Sequence, residues 1–330
     1  MKGLELSRRY FESWGRPMAA RLEQEFTALK GQFCAGLVGQ GSECLGFDDE
    51  ISRDHDFGPA FCLWLPRKLY EEYGEVCRRA YEDLPREFEG FPARRETANA
   101  KGRVGVLSIE DFFFGLIGRT TVPITNMDWM WIPESRLSQA ASGAVFLDEP
   151  GIFSAFYETL QGFYPEDVRR KKIAARAAAM AQSGQYNYSR LSQRGEWTAA
   201  FLSLEEFIKT TCSMVHLLNR RYTPYYKWMH KSLKELPVLS QVYELLDQLT
   251  MPFDSRSAWQ NAQESDFLYG WINTKDTRAV LIETICQLVI RELNAQGLSD
   301  SHDLYLEGHA LSVMEKIADP QVAALQLLEG

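Results

Sequence analysis

The stretch GQGSECLGFDDEISRDHDFG, residues 39–58, gathers the side chains best suited to phosphate and metal chemistry. Gly41 lets a backbone approach a phosphate closely. Ser42 adds a hydroxyl and an N–H, and a helix starting there would contribute a favourable dipole. Further on, Asp54 and Asp56 flank a single residue, His55. If they open a strand, positions i and i+2 share a face, so two carboxylates converge while His55 points away to a packing or surface role. Paired carboxylates with phosphate oxygens are a usual way to hold Mg²⁺, a hard cation that prefers oxygen. An isolated Asp-x-Asp is more often a cap or a turn. The Gly-Ser turn, Gly46 and the apolar runs on both sides set this one apart. Asp48, Asp49 and Glu50 read as solvated loop residues, with one available to help a metal.

Two other phosphate loops fit less well. Gly36 to Ser42 has the outer spacing of a P-loop but lacks the lysine before the hydroxyl, and with it the grip on β- and γ-phosphates. A dinucleotide fingerprint begun at Gly39 meets Cys44 where its third glycine belongs.

The elements that must position these residues alternate. The opening helical stretches, with an expected break near Gly15-Arg16-Pro17, are followed by a buried strand over 33–38 that ends in glycines. A second apolar run covers 57–65, a helix is predicted over 66–84, a strand over 103–109 and a helix over 110–117. This is an α/β pattern. Residues 121–151 read as an irregular connector with short strands. Beyond Phe153 the periodicity is helical throughout, over 168–182, 204–219, 225–236, 238–250, 277–296 and 303–317. The expected organisation is therefore an α/β domain over 1–150 and an all-α domain over 151–330.

The chain has 330 residues, 45% hydrophobic and 25% charged, with a formal net charge of −9. That suits two folded domains and argues against nucleic acid as the main partner. With no bilayer-spanning apolar run and no signal-like segment, the expectation is a cytoplasmic protein with no membrane partner. The six cysteines form no CxxC pair and read as buried free thiols. His302 and His309, which could share a helix face, read as structural or solvated.

The pattern Gly-Ser, spacer, Asp-x-Asp resembles the signature of the nucleotidyltransferase superfamily that includes polymerase β and the aminoglycoside nucleotidyltransferases. The longer string GSECLGFDDEISRDHDFG, with FYPEDVRRKKIA, SGQYNYSRLSQRGE and LNRRYTPYYKW further on, is similar to the bacterial DUF4037 family. The resemblance implies an α/β nucleotidyltransferase domain, a mixed sheet with helices, followed by a helical domain. It also implies that Gly41 and Ser42 bind nucleotide phosphates and that Asp54 and Asp56 bind Mg²⁺ or Mn²⁺. The activity implied is transfer of a nucleoside monophosphate from an NTP to an acceptor. The spacer is slightly longer than the common form. A third carboxylate, expected on a later strand, has no counterpart among Val104 to Leu107, so Glu110, Asp111 and Asp148 are the candidates. Asp148 is favoured, since a residue near a domain boundary could close onto a cleft. Without that acid, a non-catalytic nucleotide-binding or antitoxin-like module is the alternative, and a purely structural interaction protein a weaker third.

In the helical part, Arg169 to Lys172 reads as a solvated helix face. Arg220, Arg221 and Lys227, interleaved with Tyr222, Tyr225 and Trp228 around Pro224, would suit a triphosphate. Asn187 and Arg190 are weaker candidates for the same role.

Overall fold

The computed structural model describes residues 1–53, 57–94, 102–252 and 254–330. Its contacts gather into two units, Met1–Pro123 with Ile132–Phe163, and Ile124–Trp131 with Tyr164–Gly330.

The first unit opens with α1 (Gly3–Tyr10), a π turn (Phe11–Gly15) and α2 (Arg16–Glu25). The expected break is absent: Pro17 falls in the first turn of α2, and the wider π turn before it accommodates the missing N–H. The sheet comprises β1 (Cys34–Val38), β2 (Cys62–Leu65), β3 (Gly105–Ser108) and β4 (Gly143–Asp148) in the order β3-β2-β1-β4. β1 is antiparallel to β2 and β4, and β2 is parallel to β3, so the sheet is mixed. Within the apolar run over 57–65 the strand starts at Cys62, beyond Gly58-Pro59. Between β1 and β2 lies the short helix α3 (Ser42–Leu45), and α4 (Arg67–Glu82) follows β2.

Both sheet faces are covered, which is why β1 and β2 read as unbroken apolar runs. On one face Ala35, Leu63, Leu65 and Val106 pack with Phe11, Leu22 and Phe61 and with Cys77 and Ala80 of α4. On the other, Trp64 stacks on Phe153 at 4.0 Å between ring centroids, and Phe113 on Phe156 at 3.8 Å. These phenylalanines come from α5 (Ile109–Ile117) and α8 (Ile152–Gln161). Each fully buried ring is worth about 1.5–3 kcal/mol of transfer free energy.

The expected irregular connector is more ordered than its composition suggested. It forms α6 (Asn126–Met130), α7 (Glu134–Ala140) and then β4. Thr125 and Asp128 make a capping box that starts α6, so the segment carries its own helix signal.

The second unit is built on α9 (Glu166–Met180), which runs through a π segment (Ala181–Tyr188) into α10 (Ser189–Gln193). Around it lie α11 (Trp197–Leu218), α12 (Tyr226–Met229), α13 (Val242–Thr250), α14 (Ser255–Gln260), α15 (Thr277–Ala295), α16 (Leu306–Met314) and α17 (Pro320–Ala323). At Gly184, in the π segment, a Cβ would lie 2.4 Å from the Phe207 ring of α11, so close helix packing requires glycine there. The unit departs from an all-α description at one hairpin, β5 (Phe267–Leu268) with β6 (Ile272–Asn273). Among the described residues, no helix is long and apolar enough to cross a membrane.

The basic run on α9 is a correction. Arg169, Lys171 and Lys172 are buried rather than solvated. Arg169 donates through Nε to the Leu217 carbonyl (2.9 Å) in the last turn of α11, where that carbonyl also accepts from Arg220 N at 3.2 Å. Lys171 Nζ donates to the carbonyls of Gln326 (2.8 Å), Leu327 (3.0 Å) and Glu329 (2.5 Å). Lys172 Nζ donates to the Met130 carbonyl at 3.3 Å.

Candidate functional site

The chain leaves β1 through Gly39-Gln40-Gly41-Ser42. Gly39 and Gly41 hold φ of 114° and 128°, a region that L side chains rarely adopt. At Gly41 a Cβ would also lie 2.6 Å from a carboxylate oxygen of Glu43. Gly41 is therefore glycine for two reasons, its φ and the Glu43 carboxylate that lies against it. Ser42 starts α3, and its carbonyl accepts from Phe47 N at 2.9 Å to close the loop.

Beneath this turn lies an ion pair that local sequence did not reveal. Arg94 donates to Glu43 Oε1 through both terminal nitrogens, at 3.2 and 3.1 Å. The side chains are only 8% and 7% exposed, so the pair is desolvated and each charge depends on the other. Gly58 permits this: a Cβ there would lie 2.8 Å from the backbone of Pro92 and Arg94. Asp48, expected to be solvated, is buried instead. It accepts from Gly3 N at 2.8 Å and lies 3.5 Å from Lys2 Nζ, fastening α1 to the loop. Asp49 and Glu50 are exposed as expected.

The Cys44 and Cys62 thiols are pushed up by burial, Cys62 to about 12. They stay protonated at neutral pH and are poor thiolate ligands or nucleophiles. All six cysteines are free and buried, as read from the sequence. His302 lies outside the helices, while His309 is buried in α16 between Ser299 Oγ and the Asp303 carbonyl.

Asp54 and Asp56 lie outside the described residues. Among the described residues, no group of three or more His, Cys, Asp or Glu is arranged to hold a metal. The three candidate carboxylates take different places. Asp148 pairs in register with Cys34, whereas Val38, at the turn, pairs with Gly143. Asp148 thus sits at the other end of β1 from Gly41-Ser42, about 13 Å along the strand at its normal rise. Its carboxylate accepts from Gly151 N (3.1 Å), Ser154 N (2.6 Å) and the Cys34 thiol (2.9 Å), so it caps the entry to α8. Glu110 accepts from Arg67 N at 2.9 Å at the start of α4. Asp111 forms an ion pair with Arg67 and lines a cavity of about 290 Å³ that also reaches Gly39 and Gln40. Tyr70, Arg103 and Phe112 share that lining. Of the three acids, Asp111 is the one that shares a cavity with the turn.

The expected cations of LNRRYTPYYKW belong to the second unit. Arg220 holds Glu166 at 2.7 Å, and Arg221 is exposed. Lys227 is exposed with its ammonium 4.9 Å from the Trp228 ring centroid. Asn187 lies in the π segment, and Arg190 donates to Tyr186 OH at 2.7 Å.

The chain thus combines a mixed α/β unit carrying a Gly-Ser turn with a mainly helical unit. Residues 129–229 match the model of DUF4037, a domain of unknown function. The match covers the three later strings that carried the DUF4037 resemblance and bears it out there; GSECLGFDDEISRDHDFG precedes it. A solved structure of a nucleotidyltransferase-like protein from Exiguobacterium sibiricum is 11% identical, covers 89% of this chain and 79% of its own, and superposes with a TM-score of 0.35. Comparison with the curated proteins gives no match.

Proposed function

We propose that the first unit binds the phosphates of a nucleoside triphosphate at the Gly39–Ser42 turn and moves the nucleoside monophosphate to an acceptor. The observation that carries this reading is the turn itself. Two glycines at positive φ turn the chain at the end of β1, with Gly41 and Ser42 half-buried and Gly39 and Gln40 lining a cavity that also holds the Asp111 carboxylate. Backbone N–H groups and the Ser42 hydroxyl would hold non-bridging phosphate oxygens. Asp54 and Asp56 are assigned to Mg²⁺ or Mn²⁺, because two carboxylates are a hard oxygen donor set. When bound, such an ion neutralises phosphate charge and aligns the leaving group. Asp111 would take or align the proton of an acceptor hydroxyl on a small molecule, a protein or an RNA end. The acceptor oxygen then bonds to the α-phosphorus as the bond to pyrophosphate breaks. In the second unit, Lys227, Arg220 and Arg221 are proposed to bind phosphate in their own right. Lys227 is preferred, since Arg220 already holds Glu166.

The second reading is a nucleotide-binding or antitoxin-like module without catalysis. It is favoured by the engagement of all three acids: Asp148 in a cap, Glu110 at α4 and Asp111 with Arg67. Incubation with each labelled NTP and Mg²⁺ or Mn²⁺, with and without cell extract, separates the two. Labelled product supports transfer, and saturable binding without transfer supports the module. Absence of both binding and transfer rejects both readings. For the enzyme, Asp111→Asn should slow transfer about a hundred- to ten-thousand-fold while sparing NTP binding. An equal loss of binding would instead make Asp111 part of the phosphate or metal site.

A further inference from the structure

A cavity in the second unit is built by residues that the proposed reaction does not use. Its volume is about 640 Å³, within the usual range for small-molecule sites. One wall is a single helical face that crosses the π segment into α10: Tyr186, Ser189, Arg190, Gln193 and Arg194. These positions recur at helical spacing, so their side chains stack along one side. π segments often occur where a helix is shaped for binding.

The facing wall is aromatic. The β5–β6 hairpin contributes Phe267 and Trp271, and Trp259 and Tyr305 complete the lining. The hairpin turn is strained. Tyr269 and Gly270 both have positive φ, 52° and 81°, and Trp271 N closes the turn on the Leu268 carbonyl at 3.3 Å. A tyrosine in the left-handed region costs about 1–2 kcal/mol. That cost is borne where the turn sets Trp271 at the cavity.

The unused valences define the ligand. Trp259 Nε1 already donates to the buried Asp276 at 2.6 Å, and Tyr305 OH to the Ala181 carbonyl at 3.4 Å, so these residues offer ring faces rather than polar atoms. Arg190 is occupied by Tyr186 alone, a neutral partner. Among the described residues, neither Arg190 nor Arg194 forms an ion pair, and the lining contains no carboxylate. Gln193 adds an amide that can both donate and accept. Stacking faces, two unneutralised guanidiniums and an amide together suit a flat heteroaromatic ring carrying a phosphate.

We propose that this cavity binds a mononucleotide, its base against the aromatic wall and its phosphate on Arg190 and Arg194. The inference stands on second-unit residues alone and does not depend on the transferase reading. The test is calorimetric titration of the full chain with AMP, GMP, CMP and UMP, their nucleosides and inorganic phosphate. All titrations are done in EDTA, so that metal-dependent binding at the first unit is silent. At least one monophosphate should bind saturably, and its nucleoside and free phosphate each at least about tenfold more weakly. Arg194→Ala and Trp271→Ala should each weaken binding about tenfold or more. Both residues are exposed, so circular dichroism and Tm should be unchanged. The proposal is overturned if no monophosphate binds, if free phosphate binds as tightly, or if binding survives both substitutions.

Discussion

One continuous helical run contains two opposite uses of positive charge. Over Glu166–Met180 it buries Arg169, Lys171 and Lys172 against backbone carbonyls. Past the π segment, the same run leaves Arg190 and Arg194 exposed, with no carboxylate partner among the described residues. Both halves carry long cationic side chains. What differs is the acceptor supply opposite them. The first half faces carbonyls from the end of α11 and from residues 326–329, whereas the second faces an aromatic hairpin that offers no anion. A cationic run is therefore structural or receptive according to what packs against it, and its density in the sequence does not decide which.

The sharpest way to break this comparison is to remove a buried cation whose partner is a full negative charge. In the first unit that is Arg94. Arg94→Met strands Glu43 as a buried charge under Gly41, and breaking such a pair costs about 3–5 kcal/mol. Urea denaturation should show that loss, and nucleotide binding should fall with it because the turn rests on Glu43. A loss below about 1 kcal/mol would mean that solvent reaches the pair and that it does not hold the turn.

Lys171→Met comes next. It removes one donor from three carbonyls, of which Gln326 keeps Glu329 N, for a loss of about 2–3 kcal/mol. The effect should depend on pH. Burial pushes the Lys171 amine down from 10.5 to about 8. Between those values the unfolded chain binds the extra proton, so this group's contribution to stability rises as pH increases from about 8 towards 10.5. The stability gap between wild type and Lys171→Met should therefore widen from pH 7 to pH 10, by at most about 1.4 kcal/mol per unit. A gap independent of pH would show that the amine titrates as it does in water.

These residues also mark the limit of what the sequence discloses. β1, β2, β3, α4 and α5 were legible because apolar runs report burial locally, whereas β4 fell inside the expected irregular connector. Arg94 was not, since Glu43 lies 51 positions away and neither residue sits in a pattern that announces the other. Lys171 was misread because a run of basic residues on a helix normally goes to water, and its acceptors lie more than 150 positions downstream. Asp148 looked like a base beside a domain boundary. Strand register, which a single sequence does not supply, places it at the far end of β1 from the turn. The β5–β6 hairpin escaped notice because strands of two residues are too short to show alternation.

The smallest expected effect on folding sharpens the comparison from the exposed side. Lys227 is exposed, and its ammonium touches only the Trp228 ring among the contacts described. A surface cation–π contact is worth about 0.5–1 kcal/mol at most, so Lys227→Ala should leave Tm nearly unchanged. Its effect on ligand should be selective. If the ammonium meets phosphate, the substitution weakens binding of a triphosphate by about tenfold and leaves the nucleoside unaffected, because the lost interaction is charge on charge. Titration of the variant with ATP and with adenosine in Mg²⁺ reads this difference. Equal weakening of both would point to lost packing around Trp228, and no change in either would leave Lys227 as a solvated cation outside the phosphate site.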